Sequence, residues 1–124
     1  IASFLLENTD HKKAHIDPAS FESRLRKLIC QRLTSITLPD AASYFHISVP
    51  YASDLTRQIT GKNFTSLVLE ERMKESEKLL RNSNIPISKV ALLSGYQEPS
   101  YFMKVFKKYF GCTPSQYREN KNLH

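Results

Sequence analysis

Residues 87–118 read ISKVALLSGYQEPSYFMKVFKKYFGCTPSQYR, and this stretch decides the fold. Ile87, Val90 and Ala91 stand three and four apart, as on one side of a short helix. Gly95-Tyr96 breaks that run, and glycine supplies the positive φ of a tight turn. Glu98-Pro99 opens the next piece, because proline is tolerated in the first helical turn. Phe102, Val105, Phe106 and Tyr109 then share one face, and Gly111 stops the helix. Thr113-Pro114 caps a last short helix to about Arg118. The plan is short helix, tight turn, longer helix.

The same plan occurs earlier. Leu38 corresponds to Ile87 and Ala42 to Ala91, an offset of 49; Tyr51 corresponds to Tyr101, Arg57 to Lys107 and Gly61 to Gly111, an offset of 50. The one-residue slip lies in the turn, where length varies most cheaply. Ala42 and Ala91 are small enough for two helices to cross closely. Four residues on stand His46 and Gly95, both types suited to positive φ. In a helix-turn-helix the second helix lies across the first and offers its N-terminal end to the major groove of DNA.

The flanking sequence completes an all-α chain. Asp17-Pro18 starts a first helix, with Phe21, Leu25, Leu28, Ile29, Leu33 and Ile36 on one stripe. Thr37 and Asp40 form a capping box before a short helix to about Phe45. His46-Ile47 turns, Ser48 caps a helix to about Thr60, and Gly61 ends it. A long helix follows over roughly 64–81. Glu70 with Lys74 and Glu77 with Arg81 are i,i+4 pairs there, and Glu70, Glu71, Glu75 and Glu77 read as a solvated face. The segment 82–86 breaks the chain. The expectation is about seven helices: a linker or tail over 1–17, a helix-turn-helix subdomain over 18–62, a linking helix over 63–82 and a second helix-turn-helix subdomain over 83–124.

Composition suits an anionic partner, either nucleic acid or a membrane surface. The 124 residues are 40% hydrophobic, enough for a core, with net charge +6 and pI about 9.4. Residues 1–60 hold seven Lys/Arg against six Asp/Glu, and residues 61–124 hold eleven against six, so the surplus lies in the second half. Cys30 and Cys112 show no metal spacing and read as two reduced cytoplasmic thiols. His11, His15, His46 and His124 are scattered, so no metal or cofactor is expected. No glycine-rich phosphate loop or activated nucleophile is present, and an enzyme is not expected. No apolar run suits a bilayer or a signal peptide. A start at Ile1 suits a piece of a longer protein.

Residues 36–118 resemble the AraC/XylS DNA-binding domain. The most specific segment combines Ile87, Val90, Ala91, Gly95, Tyr96, Ser100, Tyr101, Phe102, Lys104, Phe106, Lys107, Lys108, Gly111, Pro114, Tyr117 and Arg118 at the family's spacing. Phe64, Arg72, Met73, Leu79 and Leu80 carry the likeness through the linking helix. The resemblance implies two helix-turn-helix lobes that place recognition helices in successive major grooves, in a bacterial, cytoplasmic transcription regulator. It also implies an N-terminal effector or dimerisation domain and RNA polymerase as partners. Carried over residue by residue, the DNA-facing positions are Val49, Pro50, Ser53 and Asp54, with Arg57 toward phosphate. In the second copy they are Pro99, Ser100, Tyr101 and Lys104, with Lys107 and Lys108 toward phosphate. The first copy departs from the pattern at Ala52, Asp54 and Thr56, which predicts a looser lobe and a poorer reader. The alternative is a degenerate helical module that binds protein instead of DNA.

Overall fold

The computed structural model describes residues 16–123, so of the expected tail over 1–17 only Ile16 and Asp17 are described. His11, His15 and His124 lie outside the described residues. Among the described residues there are seven helices: α1 (Pro18–Gln31), α2 (Leu38–Phe45), α3 (Val49–Thr60), α4 (Phe64–Asn82), α5 (Ile87–Leu93), α6 (Pro99–Phe110) and α7 (Pro114–Leu123). The all-α expectation is borne out. The chain forms two compact units. One takes in the described residues to Gln31 and Ile36–Val68; the other takes in Arg32–Ser35 and the chain from Leu69 onward.

In the first unit, Asp17 Oδ2 accepts from the Ser20 amide at 2.9 Å and starts α1. Phe21, Leu25, Leu28 and Ile29 are its buried face. The helix stops at Gln31 rather than running on to Ile36, and Ser35 N–H donates to the Arg32 carbonyl at 3.1 Å to close a turn. Leu33 and Ile36 are buried as expected, but from outside the helix. The turn frees the Leu33 carbonyl, which an unbroken helix would engage. Thr37 and Asp40 make both bonds of the capping box, at 3.2 and 3.0 Å. His46 ends α2 with φ 58° and ψ 43°, the left-handed conformation that the sequence asks of it. Ser48 caps α3 through the Tyr51 amide at 3.2 Å.

Thr56 and Ala52, where the repeat is weakest, are both buried. The Thr56 hydroxyl donates to the Ala52 carbonyl at 2.7 Å, so the small polar residue leaves no unmet donor in the core.

In the second unit, Met73, Leu80, Val90, Ala91, Tyr96, Phe102 and Phe106 form one cluster. Phe106 lies 4.5 Å from Phe110 and 5.7 Å edge-on from Tyr117 between ring centroids. Arg118 donates from Nη1 to the Ile85 carbonyl at 2.7 Å, which anchors α7 on the segment after α4. The Tyr117 hydroxyl donates to Glu77 of α4. α7 continues to Leu123, beyond the expected end at Arg118.

Two local expectations need correction. Tyr109 is 46% exposed and does not join the buried face. Phe102, Phe106 and Phe110 repeat every four residues along the buried face, and Tyr109 falls beside it. Phe110, not Tyr109, takes the contact with Tyr117, at 5.5 Å. Glu71 is buried at 5% exposure rather than part of a solvated face, and the Lys74 ammonium lies 3.4 Å from it. Tyr51 and Tyr101 keep their corresponding places, each third in its helix, but Tyr51 is 4% exposed and Tyr101 60%.

Candidate nucleic-acid interface

Each reading helix is set by the turn before it. In the second unit that turn is tightly determined. Gly95 has φ +101°, and a Cβ there would lie 2.8 Å from the Leu33 carbonyl oxygen and 3.0 Å from Arg72 Nε. Arg72 donates from Nε and Nη2 to the Leu33 carbonyl at 2.9 and 2.7 Å. Its guanidinium also stands 4.8 Å from the centroid of the Tyr96 ring. Burial raises the Tyr96 pKa, and the nearby Arg72 charge opposes the rise. Arg72 therefore ties the 32–35 turn to Gly95-Tyr96 and positions the start of α6. Its positioning role was invisible in the sequence, because Leu33 and Gly95 are far from it along the chain.

On α3, Tyr51, Ala52, Leu55 and Thr56 face inward. Val49, Pro50, Asp54 and Arg57 are exposed and Ser53 is half-buried. Pro50, Ser53, Asp54 and Arg57 follow the i, i+3, i+4, i+7 spacing of one stripe. On α6, Phe102 and Phe106 face inward, while Ser100, Tyr101, Lys104, Lys107 and Lys108 are exposed and Pro99 is half-buried. Ser100, Lys104 and Lys107 fall on one stripe, with Tyr101 and Lys108 beside it. Within each unit, the predicted positions thus gather on the outward side of a single helix.

The electrostatics of α4 and α6 differ sharply. Every basic residue on α4 after Arg72 has a carboxylate: Lys74 lies 3.3 Å from Glu70, Lys78 lies 3.5 Å from Glu75, and Arg81 lies 3.3 Å from Glu77. Burial opposes the charge on Lys74, but Glu70 and Glu71 outweigh it and raise its pKa above the ordinary lysine value. Among the described residues, Lys104, Lys107 and Lys108 pair with no carboxylate. Asp54 of α3 likewise has no cationic partner among the described residues. The two helices also start differently. Ser48 caps α3, whereas Glu98 makes no side-chain bond to the first turn of α6.

Met103 is a surface residue that the sequence reading passed over. It is 41% exposed and lies three residues after Ser100, on the cationic side of α6. Its spacing from Ser100 and Lys107 agrees with that exposure, although methionine in an amphipathic helix is easily read as core.

The sequence matches the helix-turn-helix domain family over residues 41–120, which takes in both turns and both reading helices. The chain belongs to the AraC-type helix-turn-helix family. It is 29% identical to the regulatory protein PocR of Salmonella typhimurium, over 95% of this chain and 41% of that protein. The chain spans about two-fifths of the length of the first curated relatives that it matches. A DNA-binding transcriptional dual regulator from Escherichia coli K-12 has the same fold, with TM-score 0.77 and 28% identity over 84% of this chain and 94% of that one. The DNA-binding domain of AdpA, solved in complex with a target DNA, matches at TM-score 0.75 and 18% identity over 82% of this chain and 92% of that one. At that identity, the likeness is one of fold alone. The AraC-type assignment points to transcription regulation rather than catalysis. Among the described residues, no helix is long and apolar enough to cross a membrane.

Proposed function

We propose that this chain is the part of a bacterial transcription regulator that reads double-stranded DNA, with α3 and α6 each directed at a major groove. The observation that carries the reading is the outward face of α6, where Lys104, Lys107 and Lys108 are exposed and unpaired while the bases of α4 are neutralised. Unpaired cations on a helix of this fold suit a polyanion. The solved complex of AdpA with its target DNA supports the same use of the fold.

In this reading Lys107 and Lys108 hold phosphates, Lys104 donates to a guanine edge, and Ser100, Tyr101 and Pro99 lie along the groove floor. Val49, Pro50, Ser53 and Asp54 form the poorer reader, with Arg57 on a phosphate. The intact protein works in the cytoplasm without catalysis of its own, carries an effector or dimerisation domain N-terminal to this chain, and meets RNA polymerase. The relatives' greater length supports the further domain.

The test is a gel shift on promoter fragments in a salt series. Counting Lys104 with Arg57, Lys62, Lys107 and Lys108, five cations meet the duplex, so log K against log salt should slope at about −4 to −5. A slope shallower than about −2, with weak binding even at low salt, overturns the DNA reading and favours a protein-binding module.

A further inference from the structure

We propose that Met103 is a specificity residue of α6, and that its thioether side chain packs on the C5-methyl group of a thymine in the major groove. The proposal rests on the DNA reading above and names what one position of that face selects. α6 buries Phe102 and Phe106 and turns Ser100, Lys104 and Lys107 outward. Met103 follows Ser100 by three residues, precedes Lys107 by four and adjoins Lys104, so it shares their side of the helix. It is 41% exposed, an unbranched apolar chain set among cations.

The cations bring a duplex to this face, and the major groove offers little that suits a thioether. Its edges are hydrogen-bond donors and acceptors apart from one apolar group, the thymine methyl. Contact with it removes apolar area from water on both sides, and methionine is supple enough to reach an irregular target. The other exposed apolar residues fit less well. Tyr101 leans on Tyr96, with ring centroids 5.9 Å apart, which holds its ring near the turn. Leu92 and Leu93 belong to α5, outside the cationic stripe.

The experiment uses the duplex with highest affinity from site selection, remade with deoxyuridine in place of each thymine in turn. Deoxyuridine removes the methyl and leaves base pairing intact. One replacement should weaken binding by the whole chain about fourfold, the worth of one buried methyl. Met103→Gln and Met103→Ala should bind the thymine and deoxyuridine duplexes equally, and Met103→Leu should keep the preference. A packing role for Met103 alone would lower stability without touching the thymine preference. The proposal is overturned if no replacement weakens binding, or if the Gln and Ala variants keep the fourfold loss. Loss of the DNA reading itself is a separate outcome, seen as no salt-sensitive binding of the unmodified duplex.

Discussion

Replacement of Gly95 by alanine should damage the second unit far more than the same change at Gly61, although both glycines have positive φ. Gly61 has φ +78° with nothing within 4 Å of an added Cβ, and Gly95 has φ +101° with the Leu33 oxygen at 2.8 Å. At Gly61 the cost is the left-handed backbone alone, about 1–2 kcal/mol. At Gly95 a methyl must also displace the Leu33 carbonyl and Arg72, which are joined by hydrogen bonds of 2.9 and 2.7 Å. Charge-assisted bonds contribute about 1.5–3 kcal/mol each, so weakening them adds a loss of similar size and brings the total to roughly 3–5 kcal/mol. That is a large share of the 5–15 kcal/mol that typically separates folded from unfolded domains. Urea denaturation followed by circular dichroism checks the contrast. With a slope of about 1–3 kcal/mol per molar urea, the midpoint should fall by about 2 M for Gly95→Ala and less than about 1 M for Gly61→Ala. Arg72→Ala should be less than additive with Gly95→Ala, because the first change empties the space that the second needs. Equal midpoints for the two glycine variants would refute the close approach as the reason for glycine at 95.

Four further outcomes follow from the reading face and its supports. Lys107→Ala should weaken binding to all DNA sequences alike, whereas Lys104→Ala should cost about 1–3 kcal/mol on the preferred site and much less on random DNA; equal losses in a competition gel shift would make Lys104 a phosphate contact. Asp54→Asn should raise affinity by about threefold on every sequence in a site library at fixed salt, because it removes an unpaired carboxylate from a face turned to phosphates; a loss confined to one base position would instead identify Asp54 as a cytosine reader. Glu98→Ser should raise the melting temperature by supplying the cap that α6 lacks, worth about 1 kcal/mol, and should tighten DNA binding by deleting a charge; an unchanged melting temperature would show that the first turn is already satisfied. Burial raises the Tyr96 pKa, so the folded state holds that proton more tightly than the unfolded chain; this contribution is fully present below the unfolded value of about 10 and is lost as pH rises through the folded one. Tyr96→Phe should therefore lose less stability than the parent between neutral and strongly alkaline pH, measured by urea titration at each pH.

The secondary structure was legible because it depends on short-range physics. Thr37 with Asp40, Ser48, and the glycines at 61, 95 and 111 mark helix ends through bonds and dihedrals that involve only a few neighbours. His46 could be assigned positive φ because its place in the repeat matched Gly95. The apolar spacing separated buried from exposed positions on α3 and α6. It misplaced residues whose environment comes from distant chain. Tyr109 carries a buried-face spacing, yet Phe110 takes the contact with Tyr117 of α7 and Tyr109 stays exposed. Tyr51 and Tyr101 are equivalent in the repeat, but one is buried and the other exposed.

Sequence by itself marked where most helices start and where α3 and α6 stop, since caps, prolines and glycines act within a turn or two of themselves; the ends of α1 and α7 it did not give. It also determined which helix faces are polar, since that follows from a period of 3.6 residues. Tertiary structure alone decided that Arg72 grips the Leu33 carbonyl beneath Gly95 and that Glu71 is buried. Those outcomes depend on volumes and charges brought together from positions as far apart as Leu33 and Gly95, a separation at which no local pattern survives.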